Sequence, residues 1–268
     1  MLRRLTVVLA IAHLAIAILA AAGVGHALGE PDAAARYRPK TLRVLVTNDD
    51  GVGAAGIDVM VEALVDLPRV KVTVVAPAEN QSGTGDRTSP AGVDVATAEA
   101  STAGGYPATA VSGTPADSVI VGLEDVVAKP PHLVVSGINE GQNLGPALDI
   151  SGTVGAARTA AIAGVPALAA SQGLGDDPDN EVAADLAVDW VKAHRKRLVK
   201  GTVDADEFAN LNVPTCTTGS VRGLVEVRPE PTGELLPPAD CSSTLEDPPT
   251  DVVAFENGFA TLSEIPTG

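Results

Sequence analysis

The sequence predicts an α/β fold in three layers, a mainly parallel sheet with helices on both faces. Three observations carry this. Short runs rich in Val, Ile and Leu alternate with amphipathic helical stretches. The apolar fraction is 45%, largely Ala and Val, with only 2% aromatics, which suits short strands and closely packed helices. The segments that leave the strands are rich in Asp, Asn, Ser and Gly, and in open α/β sheets the loops at the carboxyl ends of strands are where ligands bind.

Residues 1–27 stand apart from the fold. Arg3 and Arg4 precede an apolar, Ala-rich run from Leu5 to Ala22, and Gly25-His26-Ala27 ends it in small residues. That pattern predicts a secretory signal peptide and an exported protein. The alternative is an uncleaved membrane anchor, since the run is near the lower length of a spanning helix. Residues 28–40 read as a flexible leader, and 41–268 as one domain, with a core over 41–213 and an extension over 214–268.

Leu42 to Thr47 is β-rich and predicts the first strand. Gly56 to Leu67 follows as a helix with Ile57, Met60, Val61 and Leu64 on one face. Lys71 to Ala76 is a strand stopped by Pro77. A polar loop covers Ala78 to Pro90, with weaker extended stretches at Val93 to Ala96 and Ala108 to Ser112. Thr114-Pro115-Ala116-Asp117 opens a helix: Thr114 caps, Pro115 suits the first turn, and Asp117 complements the dipole. His132 to Ser136 predicts a strand, followed by a Gly-rich loop to Gly152. A helix over Thr153 to Ala163 and a strand over Val165 to Ala170 come next. Glu181 to Lys200 is a long helix and Phe208 to Val213 a strand ended by Pro214. Pro and acidic residues dominate Pro229 to Thr250, a loop, and Val252 to Leu262 reads as extended.

Charge and cysteines bound the function. The formal net charge is −16, and −18 once Arg3 and Arg4 leave with the signal peptide. This excludes nucleic acid and anionic membrane as partners of a basic surface. Cys216 and Cys241 are the only cysteines. In an exported chain they read as one disulfide worth about 3 kcal/mol, two buried free thiols being the alternative.

The chemistry gathers at strand ends. Asn48-Asp49-Asp50-Gly51 ends the first strand with two adjacent carboxylates and no basic neighbour. They repel unless a cation lies between, and a hard, oxygen-ligated Mg²⁺ or Mn²⁺ fits. The same four residues also suit a plain turn. Gly51-x-Gly53-x-x-Gly56 matches a dinucleotide fingerprint, but the acids precede its first glycine and no acidic residue ends the second strand. Ser151-Gly152-Thr153 opens a helix, so it reads either as a cap or as a phosphate cradle. His13 and His26 fall in the signal segment, His132 begins a strand, and His194 lies among Lys192, Arg195, Lys196 and Arg197. No histidine cluster for zinc and no G-x-S-x-G elbow exist.

Taken in order, Asn48-Asp49-Asp50-Gly51, Asn80-Gln81-Ser82-Gly83, Ser112-Gly113-Thr114-Pro115-Ala116-Asp117, Ser136 to Gly145 (SGINEGQNLG) and Ser151-Gly152-Thr153-Val154 resemble the SurE, or survival protein E, family of 5′/3′-nucleotidases and acid phosphatases. The resemblance covers about residues 41–171. It implies a Rossmann-like core with a shortened C-terminal extension, and a metal-dependent phosphomonoesterase. Asp49, Asp50, Ser82 and Asn139 would surround the metal, and Asp49 and Asp50 would be catalytic. Asn143, Ser151, Gly152 and Thr153 would lie around the phosphate of a nucleoside monophosphate or related ester. It leaves open a homo-oligomer or a monomer. The competing readings are an exported, catalytically silent binding protein and a dinucleotide-dependent oxidoreductase.

Overall fold

The computed structural model describes residues 40–268. The predicted signal peptide and nearly all of the leader lie outside the described residues. Among the described residues no helix is long and apolar enough to cross a membrane.

The first strand, β1 (Leu42–Thr47), leads into helix α1 (Ala55–Val65) and strand β2 (Val70–Pro77). Then come β3 (Thr97–Ser101), β4 (Pro107–Val111), α2 (Pro115–Val121), β5 (Leu133–Glu140), α3 (Gly152–Ile162) and β6 (Ala167–Gln172). The chain finishes with α4 (Asn180–Lys200), β7 (Glu207–Val213), β8 (Leu224–Glu226), α5 (Asp251–Glu256) and β9 (Ala260–Pro266). The strands form one sheet in the order β3-β4-β2-β1-β5-β6-β7-β9-β8. From β4 through β7 every neighbour is parallel. β3 and β9 pair antiparallel with β4 and β7, and β8 runs parallel to β9.

Alternation along each strand builds the three layers. Val44, Val46, Val72, Val74, Leu133, Val135, Leu168 and Leu211 face α1 and α4, whose Ile57, Met60, Leu64, Ala187 and Val191 are fully buried. Leu45, Val75, Val134, Ala169 and Phe208 face the other way, onto α2 and α3 with Val119, Val154, Ala157 and Ala160. Each large aliphatic side chain so buried contributes about 1.5–3 kcal/mol before entropy is charged. The Ala-rich face of α3 lets it lie close to the sheet.

Strand order fixes where a site can form. β1 continues to β2 on one side, while β5 lies on β1's other side. The carboxyl ends of β1 and β5 therefore flank the reversal point, the crevice where open α/β sheets hold ligands.

Four expectations change. The extended stretch at Val93 to Ala96 is not a strand; the edge strand is β3, four residues later, where its backbone meets β4. The Gly-rich loop after β5 begins later, because β5 continues to Glu140 through a register shift between Ser136 and Asn139. Room for that shift comes from Gly56, where a Cβ would sit 2.0 Å from the Ile138 carbonyl oxygen. The stretch from Val252 is helical first: Asp251 is fully buried, and its carboxylate accepts N–H bonds from Gly145, Glu230 and Val252. Those contacts override the β propensity of Val252-Val253. Finally, β8 and β9 carry the extension into the same sheet.

Cys216 and Cys241 are joined, with Cα atoms 5.7 Å apart across 25 residues. The bond ties the segment after β7 to the segment before α5. Replacing both cysteines by serine is expected to lower unfolding stability by about 3 kcal/mol. A fall in the urea midpoint at unchanged slope would show it; an unchanged midpoint would mean the loop is held by other contacts.

Candidate active site

β1 delivers Asp49 and Asp50 to the reversal point, and the neighbouring chain holds them there. The Asp49 carbonyl accepts the Gln81 N–H at 2.7 Å, and the Asn48 amide donates to the Gly51 carbonyl at 2.8 Å. Asp49 is only 2% exposed. Its carboxylate accepts the Thr153 hydroxyl at 2.5 Å, and the N–H groups of Gly152 and Thr153 also favour its charge. An anion at a helix N-terminus is stabilised by the dipole and the free N–H groups. Burial outweighs these contacts, so the Asp49 pKa is raised. Only glycine fits at 152, since a Cβ there would lie 2.8 Å from the Asp49 Cβ.

Asp50 is more open. One carboxylate oxygen accepts the Glu140 N–H at 3.0 Å, and the other the Asn80 amide at 3.3 Å. Burial, followed by the charge of Asp49, pushes its pKa up to about 6. Among the described residues neither acid forms an ion pair with Lys, Arg or His. The one basic side chain on the loop after β2, Arg87, donates instead to the Gly83 and Thr84 carbonyls.

The bulged end of β5 brings in Asn139. Its amide nitrogen donates to the Gly141 carbonyl at 2.5 Å, so its amide oxygen is the atom that could serve as a ligand. Ser82 sits exposed on the loop with Asn80, its N–H bonded to the Asn80 side-chain oxygen at 2.9 Å. Asn80 rather than Ser82 touches Asp50. Ser151 caps α3 by accepting the Val154 N–H at 3.1 Å. Thr153 is fully buried against Asp49. The structure thus joins Asp49 to Gly152 and Thr153, and sets Asp50 against the Glu140 N–H, one residue from Asn139.

Asn143 is held from below. Its N–H donates to the Asn212 side chain at 2.6 Å, and its carbonyl accepts from the Asn210 and Asn212 amides at 2.9 and 3.0 Å. Its own amide donates to the Ser171 hydroxyl at 2.9 Å. Ser171, Asn210 and Asn212 are positioning residues that sequence patterning does not single out, and Asn80 stands in the sequence only as part of the Asn80-Gln81-Ser82-Gly83 motif. Their signal is visible in retrospect: Asn210 and Asn212 are two residues apart on an apolar strand, hence on one face.

The donor set fits a divalent cation. Two carboxylate groups and an amide oxygen are hard ligands, and burial, to which the charge of Asp49 adds at Asp50, raises both pKa values with no basic partner to offset it. Among the described residues no three His, Cys, Asp or Glu side chains gather. Any ion held here would therefore rely on amide, hydroxyl, water or substrate oxygens, as Mg²⁺ commonly does. Two glycines of the G-x-G-x-x-G run are accounted for by backbone geometry, Gly51 at φ +101° and Gly56 against Ile138, whereas Gly53 meets no such constraint.

Fold and site together define a doubly wound α/β protein with an acidic, oxygen-rich crevice at its strand-order reversal and a helix N-terminus aimed into it. Comparison with known proteins makes this specific. A family model described as Survival protein SurE matches residues 44–230. "5'-nucleotidase SurE" of Methanopyrus kandleri is 35% identical over 249 residues, covering 84% of this chain and 92% of that protein. "5'-nucleotidase SurE 1" of Burkholderia lata is 41% identical over 191 residues, 70% of each chain. The crystal structure of Sure protein from Aquifex aeolicus superposes with a TM-score of 0.68 at 30% identity, over 84% of this chain and 94% of that one. The chain belongs to the SurE family.

Proposed function

We propose that this chain is a metal-dependent phosphomonoesterase, exported from the cell, that hydrolyses nucleoside 5′- or 3′-monophosphates and related esters. One observation carries the reading: two unpaired carboxylates lie beside the N-terminus of α3 in the reversal-point crevice. Membership of a family whose relatives are named 5′-nucleotidases supports it. The disulfide agrees with an oxidising compartment.

In the reaction a water oxygen bonds to phosphorus and the ester P–O bond breaks. The leaving oxygen takes a proton, giving an alcohol and inorganic phosphate. Asp49, Asp50 and Asn139, together with Ser82, would hold a divalent cation, which would supply positive charge to the phosphoryl oxygens and lower the pKa of water there. Asp50, the more accessible acid, orients the attacking water and accepts its proton. Asp49 is fixed by Thr153 and anchors the crevice. Asn143, braced by β6 and β7, faces the charge that builds on the transferring group, while the Gly152 and Thr153 N–H groups serve the Asp49 carboxylate. Deep burial and a hydroxyl partner make Asp49 a fixed ligand in this scheme, so the nucleophile is water rather than the carboxylate.

The test is hydrolysis of AMP and p-nitrophenyl phosphate by the mature chain with Mg²⁺ or Mn²⁺, before and after EDTA. Phosphate release is expected with either ion, to be lost on chelation, and to return on re-addition. Turnover that persists after exhaustive chelation would sink metal dependence. Absence of turnover on both esters with either ion would leave the silent binding protein as the better reading.

A further inference from the structure

We propose that Leu174, on a turn that Gln142 ties to the loop carrying Leu235 and Leu236, forms an apolar platform beside the acidic crevice that receives the leaving group of the ester. This rests on the hydrolase reading and names the substrates it favours: phosphate esters of aromatic alcohols and nucleosides over those of small polyols.

Three leucines stand in solvent at the carboxyl edge of the sheet. Leu174 is 50% exposed, Leu235 48% and Leu236 53%. Single exposed leucines are ordinary, but these belong to two loops tied to the site by one side chain. Gln142, almost fully buried, donates from its amide nitrogen to the Pro237 carbonyl at 2.7 Å. Its amide oxygen accepts the Leu174 N–H at 3.0 Å. Gln142 is two residues from Glu140, whose N–H holds Asp50. Gly141 lies between them, and a Cβ built there would sit 3.6 Å from the Leu174 Cδ2 and 3.7 Å from the Asn139 Nδ2. Leu174 and the ligand amide thus flank the same glycine.

The turn that carries Leu174 is fixed. Gly173 donates to the Val213 carbonyl at 2.7 Å, and its own carbonyl accepts the Thr215 hydroxyl. An apolar side chain held out on a pinned turn loses little entropy when a ligand covers it. The crevice has no aromatic alternative among the described residues. Phe208 and Phe255 are core, Phe259 lies under Arg222, and Trp190 stacks on His194. Tyr106 donates its hydroxyl to the Val72 carbonyl, at the amino end of β4 and away from the strand ends that form the site.

The experiment compares 1-naphthyl phosphate and AMP with glycerol 2-phosphate, using the mature chain, Leu174→Ser and Leu174→Met. Burial of part of one leucine side chain against the ring makes the kcat/KM ratio of naphthyl to glycerol phosphate fall about fivefold in Leu174→Ser. The fall is expected to sit in KM, and Leu174→Met should restore most of it. A ratio unchanged from wild type, or an equal loss on both esters, overturns the platform. So does a change of sedimentation coefficient in Leu174→Ser with an unchanged ratio, which would assign the leucines to contact between copies. If the wild-type chain turns over neither ester, the hydrolase reading has failed by itself. The platform is then judged by the dissociation constant of 1-naphthyl phosphate in calorimetry, which must rise in Leu174→Ser; equal constants overturn it.

Discussion

Asp49→Asn is expected to lower turnover of AMP by on the order of 10³-fold while the far-UV circular dichroism spectrum and the cooperative melt persist. The substitution keeps shape and removes charge. It places an amide where the structure offers only donors, the Thr153 hydroxyl and the N–H groups that open α3. The carboxylate is therefore lost both as the proposed metal ligand and as the partner of the helix terminus. Thr153→Val provides the calibration. It removes a hydrogen bond to the carboxylate without touching the charge, and an outer partner of this kind is worth about 10- to 100-fold. Were Asp49→Asn to retain a tenth of wild-type turnover, Asp49 could not be a ligand of the working site.

Asp50→Asn should separate stability from activity, and the sign is fixed by its raised pKa. In the metal-free folded protein the Asp50 pKa is about 6, against 3.8 for the ordinary group. Protonation therefore favours the folded state. That contribution is complete below about pH 4 and is lost as pH rises through 6, amounting to at most about 3 kcal/mol at neutrality. Asparagine cannot ionise and escapes the loss. The chelated variant should melt above the chelated wild type at pH 7.5, with the gap closing by pH 4. Added Mn²⁺ should reverse the ranking by stabilising the wild type alone, and the variant should be inactive. A gap independent of pH would mean that burial and the Asp49 charge do not raise the Asp50 pKa in the fold.

These acids are legible in the sequence itself. An acidic pair directly after a β-rich run, followed by glycine, carries its own electrostatic problem, and the alternation around it says which sheet edge it occupies. β1, α1, β2, α3 and α4 lie within one or two residues of expectation because their apolar periodicities are strong. The misses share one cause. The β5 continuation, β8 and α5 depend on partners far along the chain: Gly56 for the bulge, β9 for β8, and Gly145 and Glu230 for the Asp251 that starts α5. The resemblance sets Asn143 around the phosphate, and only the fold reveals the three β6 and β7 side chains that brace it.

By itself, then, the sequence determined the layer architecture, the acidic strand tip and the family, because patterning and short polar motifs are local properties. Tertiary structure decided which oxygen atoms meet. It set Thr153 rather than a ligand on Asp49, put Asn80 rather than Ser82 on Asp50, and hung Leu174 beside Asn139 through Gln142. Each of those choices is a hydrogen bond or contact between residues well apart in the chain, and spacing along a strand carries no information about such a meeting.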